Sequence, residues 1–150
     1  MSGTRSSGGS SSQVSADERA AVLNAAQAAL QRAYAPYSRF RVGAALITET
    51  GSLFAGCNVE NASYGLTNCA ERTAIFSAVA AEGAVMSIRV IAVWSDPERP
   101  CAPCGSCRQV IFEFGPQALV LFQGPEGVQE ALASELLPAG FVLESTQRDS

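Results

Sequence analysis

The sequence predicts a three-layer α/β domain. Two observations carry that expectation. From residue 53 onward, β-rich runs alternate with helical ones, the pattern of strands joined through helices and of a sheet with a largely parallel part. The run Thr73-Ala74-Ile75-Phe76-Ser77-Ala78-Val79-Ala80-Ala81 is apolar almost all round, so its helix must be buried, and a sheet is the surface expected to cover it. Length and composition agree: 150 residues, 47% apolar and 16% charged, suit one packed domain with a sizeable core.

Residues 1–14 form a Ser/Gly-rich tail, expected to be disordered, and 15–150 form the folded domain. Ser15-Ala16-Asp17-Glu18 fits a capping box, so Ser15 is the expected N-cap of a helix. That helix runs to about Tyr34, with Ala20, Leu23, Ala26, Gln27 and Leu30 in helical phase, and Pro36 stops it. Val42–Thr48 and Leu53–Val59 are short apolar runs around Glu49-Thr50-Gly51-Ser52, a turn composition, so a β-hairpin is expected. Glu60 to Asn68 reads as a loop. A helix from Cys69 to about Glu82 follows, with Gly83 as C-cap. Ser87–Trp94 reads as a strand and Asp96–Pro103 as a proline-bearing loop. Cys104–Phe114 is then a helix, Ala118–Phe122 a strand, Gly124–Gly127 a turn, and Val128–Leu137 a last helix. No internal repeat is visible.

Composition excludes several chemistries. Histidine is absent and all ten basic residues are arginine. Ser-His and Cys-His pairs, lysine Schiff bases and a phosphate-loop lysine are therefore ruled out. A net charge of −4 argues against binding a nucleic-acid backbone. No apolar run approaches the roughly 20 residues of a membrane span, and no signal peptide precedes the domain. The five cysteines thus read as cytoplasmic thiols or metal ligands rather than a disulfide framework.

Two stretches concentrate the remaining chemistry. Asn68-Cys69-Ala70-Glu71-Arg72-Thr73 places a thiol, a carboxylate and a guanidinium at a helix start. Pro103-Cys104-Gly105-Ser106-Cys107-Arg108-Gln109 carries a Cys-x-x-Cys chelate at another. Two helix starts aimed at one point gather three sulfurs, and both dipoles favour thiolates. Cys69, Cys104 and Cys107 then hold one zinc ion with an open fourth position for water. Three thiolates leave that centre formally at −1, which weakens its power to acidify water. Arg72, one helical turn from Cys69, is expected to offset the sulfur charge. Glu71, two residues beyond a ligand, is read as a non-ligand and is expected to move protons at the zinc-bound water.

These stretches resemble the zinc-dependent cytidine deaminases of the short, tetrameric type. So do Pro36-Tyr37-Ser38-Arg39-Phe40-Arg41-Val42-Gly43-Ala44-Ala45, Gly56-Cys57-Asn58-Val59-Glu60-Asn61-Ala62 and Leu136-Leu137-Pro138-Ala139-Gly140-Phe141. The resemblance spans nearly all of the domain. It implies an α/β/α deaminase fold around a mixed five-stranded sheet, and a cytoplasmic homotetramer with one zinc per subunit. It also implies hydrolysis of cytidine and 2′-deoxycytidine to the uridine forms and ammonia. In that reaction zinc-bound hydroxide attacks C4, with Glu71 as proton shuttle. Asn58 and Glu60 match the pair that holds the ribose hydroxyls, within a run that continues through Asn61 and Ala62. Phe40 matches an aromatic that packs on the pyrimidine, and Ala70 a residue whose backbone meets the base. Tyr64 and Phe141 match residues that complete a neighbouring subunit's pocket. The Asn-x-Glu-Asn run and the terminal Phe together favour cytidine over blasticidin as substrate.

Other readings stand beside these. Pro100-Cys101-Ala102-Pro103-Cys104 also satisfies Pro-Cys-x-x-Cys, so Cys101 competes with Cys107 as ligand. Cysteines at two-residue gaps suit an iron–sulfur cluster, although Ile111 stands where its fourth cysteine belongs. A closed structural zinc site would recruit Cys57 or Cys101. Alone, Cys57 reads as a small buried hydrophobe, Asn58 and Glu60 as loop caps, Phe40 and Phe141 as core aromatics. Arg108 reads as the partner of a carboxylate.

Overall fold

The computed structural model describes residues 14–143. The tail expected to be disordered lies, up to Gln13, outside the described residues. The first helix opens at Ser15 as expected: its hydroxyl accepts from the Glu18 amide at 3.0 Å, and the Glu18 carboxylate accepts from the Ser15 amide at 3.1 Å. Helix α1 (Ala16–Leu30) follows and buries Val22, Ala26 and Leu30. It ends before Tyr34.

Strand β1 (Val42–Thr48) is buried along its whole length. Antiparallel neighbours flank it, β2 (Leu53–Cys57) on one side and β3 (Ile88–Ser95) on the other. Beyond β3 come β4 (Leu119–Gly124) and β5 (Gly127–Leu132), giving the order β2-β1-β3-β4-β5. Helix α2 (Ala70–Glu82) joins β2 to β3, α3 (Gly105–Phe114) joins β3 to β4, and a single turn, α4 (Ala133–Leu136), follows β5.

Strand period two sorts the core into two layers. Ala45, Ile47, Val90, Ala92, Leu119 and Leu121 pack under Val22 and Ala26 of α1. Ala44, Leu46, Ile91, Val93 and Val120 face the other way, toward Ala74, Ile75 and Ala78 of α2 and Ile111 of α3. This is the expected α/β/α sandwich around a mixed five-stranded sheet. Two glycines allow the layers to close. A Cβ on Gly43 would sit 2.0 Å from the Ala26 carbonyl oxygen, and one on Gly56 would sit 2.5 Å from the Ala74 amide nitrogen.

Two expectations need correction. Among the described strands of the sheet only β3 and β4 pair in parallel; the other neighbours are antiparallel. The alternation of strands and helices is real, but α2 carries the chain from β2 past β1 to β3, so the strands it joins are not neighbours. The expected helix over Val128–Leu137 is a strand followed by one helical turn. Gly124-Pro125-Glu126-Gly127 is a tight hairpin: Gly124 pairs with Gly127, whose φ of 129° suits glycine. Six register pairs along β4 then outweigh the helix propensity of Gln129, Glu130, Ala131 and Leu132. At Leu132 the Glu135 carboxylate caps the amide at 2.8 Å and the short helix starts.

Candidate active site

The carboxyl end of β3 leads into residues 96–104, and the chain re-enters helix at α3. Cys104 is the N-cap there; its sulfur accepts from the Cys107 amide at 3.4 Å. Cys69 is the N-cap of α2, on the same side of the sheet. The two helix starts therefore converge. The sulfurs of Cys69, Cys104 and Cys107 all lie within 4.8 Å of one another, with Cys69 and Cys104 4.0 Å apart. Tetrahedral zinc with Zn–S bonds of about 2.3 Å requires sulfur separations of about 3.8 Å, so the cluster fits that ion in geometry and in ligand softness. Cys101 stands outside the cluster, its thiol turned to the Ala102 carbonyl at 3.3 Å. Among the described residues no fourth cysteine closes the site.

Arg72 reaches back one helical turn and donates from Nη2 to the Cys69 sulfur at 3.0 Å. Its buried Nε has no hydrogen-bond partner among the described residues. Glu71 is 4% exposed and lines the same cleft, which has a volume of about 230 Å³.

The chain matches the family model for the cytidine and deoxycytidylate deaminase zinc-binding region over residues 16–123. The chain belongs to the cytidine and deoxycytidylate deaminase family. It is 49% identical over 129 residues to a cytidine deaminase of Halalkalibacterium halodurans, covering 85% of this chain and 96% of that one. A crystal structure of the cytidine deaminase from Burkholderia pseudomallei is similar at 52% identity and a TM-score of 0.73, over 81% of this chain and 98% of that chain. The cytidine deaminase of Mycobacterium tuberculosis aligns with a TM-score of 0.74 at 36% identity, over 84% and 98%.

In this deaminase family member the cleft has two walls. Ser38 and Phe40 stand on one, and Cys101, Ala102 and Cys104 on the other. Val42, Asn58, Glu60, Thr67, Cys69, Ala70 and Glu71 complete the lining. Asn58 and Glu60 are also loop caps. Asn58 accepts from the Val42 amide at 2.9 Å and donates to the Phe40 carbonyl at 2.8 Å. Glu60 accepts from the Tyr37 and Ser38 amides at 2.9 and 3.1 Å and from the Ser38 hydroxyl. Their free lone pairs and the second Asn58 N–H are what remain for a ligand.

Four of the expected substrate residues lie outside this cleft. Asn61 and Ala62 are exposed, with Asn61 accepting from the Ser63 amide at 2.9 Å. Tyr64 is 74% exposed and lines an adjoining hollow with Tyr37, Ser38, Glu60 and Thr67. Phe141 is 66% exposed, its carbonyl held by Gln109 at 3.2 Å. Ser38, Val42, Thr67 and Ala102 line the cleft without having been expected there, and Cys101, a competing ligand by spacing, lines it without joining the sulfur cluster. Ser38 sits inside the deaminase-like Pro36–Ala45 run beside Phe40, which was the available signal. Among the described residues Arg108 pairs with no carboxylate: it donates to the main-chain carbonyls of Pro103 and Leu136 at 2.8 and 3.2 Å, clamping the loop before Cys104.

The electrostatics follow from burial and the sulfur contacts. Burial pushes the Glu71 carboxyl up to about 7, and the Cys69 charge adds to the shift. The Cys69 thiol falls to about 5 because Cys107 and then Arg72 hydrogen-bond to its thiolate. The same bond to Cys69 raises Cys107, so the metal-free cluster ionises first at Cys69. Arg72, hydrogen-bonded to Cys69, is held more firmly cationic than a free guanidinium. Burial raises Cys101 to about 11, leaving it a neutral thiol. The Ser38 hydroxyl lowers Glu60, which stays ionised.

Proposed function

We propose that this protein hydrolytically deaminates cytidine and 2′-deoxycytidine, releasing ammonia and leaving uridine or 2′-deoxyuridine. The observation that carries the reading is a cluster of three zinc-ready sulfurs, two of which, Cys69 and Cys104, line one cleft together with the buried Glu71 carboxylate. Cys69, Cys104 and Cys107 hold the ion. When bound, zinc supplies the Lewis acidity that makes water nucleophilic near neutral pH. Glu71, uptuned by burial, takes a proton from the attacking water, delivers it to N3 of the base and then serves the departing amino group. Arg72 draws charge from the Cys69 thiolate. Ala70 at the α2 start offers backbone to the base, and Phe40 packs on the pyrimidine. Asn58 and Glu60, with Asn61 and Ala62 beside them, take the ribose hydroxyls, for which an amide and a carboxylate are suited partners.

Residues 15–150 act as one deaminase domain in this reading, assembled as a cytoplasmic homotetramer in which Tyr64 and Phe141 complete a neighbour's pocket. Their exposure in the single chain supports that role. Among the described residues no helix is long and apolar enough to cross a membrane.

The test is ammonia release from cytidine, 2′-deoxycytidine, cytosine and blasticidin S, assayed side by side with bound zinc measured on the same sample. Release from the two nucleosides at about one zinc per chain is expected. A zinc-loaded protein inert toward both would overturn the reading and leave a structural zinc module.

A further inference from the structure

The two walls of the cleft are loops, and a loop wall is only as defined as what pins it. The first, residues 35–41, turns through Arg39 at a φ of 58° and presents Phe40. The second, residues 96–104, presents Cys101, Ala102 and Cys104. Arg99 spans them. Its guanidinium carbon lies 4.9 Å from the centroid of the Phe40 ring, and its Nη2 donates to the Arg39 carbonyl at 3.1 Å. At its own root the Arg99 carbonyl accepts from the Ser95 hydroxyl at 2.6 Å, which ties the residue to the end of β3. A second link, Arg41 to Asp96 at 3.3 Å, joins the same loops but touches no cleft ring.

A planar cation lying over an aromatic ring fixes the ring's plane as well as its position. Phe40 is half-buried: it lines the cleft and packs in part against the core layer beneath it, which leaves one face of the ring for Arg99 to fix. Its backbone is anchored by Ser38 and Asn58, but those bonds leave the ring torsions free. We propose that Arg99 is a positioning residue for the base: it orients the Phe40 ring and holds the two cleft walls together, so that nucleoside binding depends on it while the proton-transfer chemistry does not. This rests on the reading of Phe40 as the aromatic that packs on the pyrimidine.

The experiment compares wild type, R99A, R99K, F40L and R99A/F40L, all matched for zinc content. It reads kcat and KM for cytidine, and the affinity for uridine as a non-reacting ligand. R99A is expected to raise KM and weaken uridine about 3- to 10-fold, with kcat changed less than about twofold. R99K keeps the charge but not the planar stack, so it should fall between. On the F40L background the R99A change should shrink to less than about twofold, because the ring it acts through is gone. Equal losses in both backgrounds, a loss confined to kcat, or no change in KM and uridine affinity would each overturn the proposal. If wild type itself, fully zinc-loaded, turns over no cytidine, the substrate reading fails instead. The two failures are thus distinguishable.

Discussion

A carboxylate with a handful of per cent exposure is expensive to ionise, and Glu71 sits beside a thiolate that makes ionisation harder still. That location explains why it holds a proton near neutrality in the metal-free protein, as the proposed shuttle role requires. E71A and E71Q should therefore retain zinc and fold yet lose turnover by several orders of magnitude, roughly 10²–10⁴-fold from general acid–base catalysis alone. Near-normal rates would remove Glu71 from the mechanism. The same burial has a sign in stability. Its pKa rises from an ordinary 4.5 to about 7, so the protonated form is favoured by folding. The contribution is complete below about pH 4.5 and is lost as pH rises through 7, a change of at most about 3 kcal/mol. Denaturant melts of the metal-free protein should show wild type losing stability relative to E71Q across that window, and a flat difference would contradict it. Arg72 acts on the other charge. R72Q removes the 3.0 Å donor to Cys69 without cutting a ligand, so bound zinc should persist while kcat falls, about tenfold or more for a lost charge-assisted bond. Unchanged turnover by R72Q would show that the sulfur charge needs no such offset.

At the scale of elements, the site depends on how closely β2 approaches α2. Gly56 faces the first turn of that helix, and an added Cβ would stand 2.5 Å from the Ala74 amide and 2.9 Å from the Ala70 carbonyl oxygen. Relief requires α2 to shift, and Cys69 caps it. G56A should thus lower stability by about 1–3 kcal/mol and weaken zinc binding measurably in a chelator competition. G51A, at an exposed turn with a φ of 93°, is the comparison: it costs stability without touching zinc. Equal zinc affinity in both variants would separate β2 packing from the metal centre. The same scale shows what was legible in the sequence. Ser15 with Glu18, Gly83 after α2, and the cysteines at two helix starts are local signals, and each is met by a local structure. β5 was not legible, because its identity is decided by pairing with β4 rather than by its own residues, which favour helix. The roles of Ser38 and Arg99 were hidden for a related reason: their partners Glu60 and Phe40 are brought together by loops whose course no periodicity encodes.

The molecule as a whole leaves Tyr64, Leu66, Phe76, Phe141, Val142 and Leu143 largely in the open. Exposed large apolar side chains of this kind are what the proposed homotetramer would cover. In the proposed homotetramer they are covered, and Phe141 of one subunit serves the cleft of another. That arrangement makes a prediction no single-chain site shares. E71A subunits carry an intact Phe141 but no proton shuttle, and F141A subunits carry Glu71 but a weakened pocket. Unfolded together and refolded with zinc, the two should build mixed tetramers in which some clefts take Glu71 from one parent and Phe141 from the other. Assayed at cytidine well below KM, the co-refolded mixture should exceed the summed activity of the parents refolded apart, while simple mixing of the folded parents should not. If tagged subunits co-purify, proving assembly, and no activity is gained, then Phe141 serves its own subunit or none.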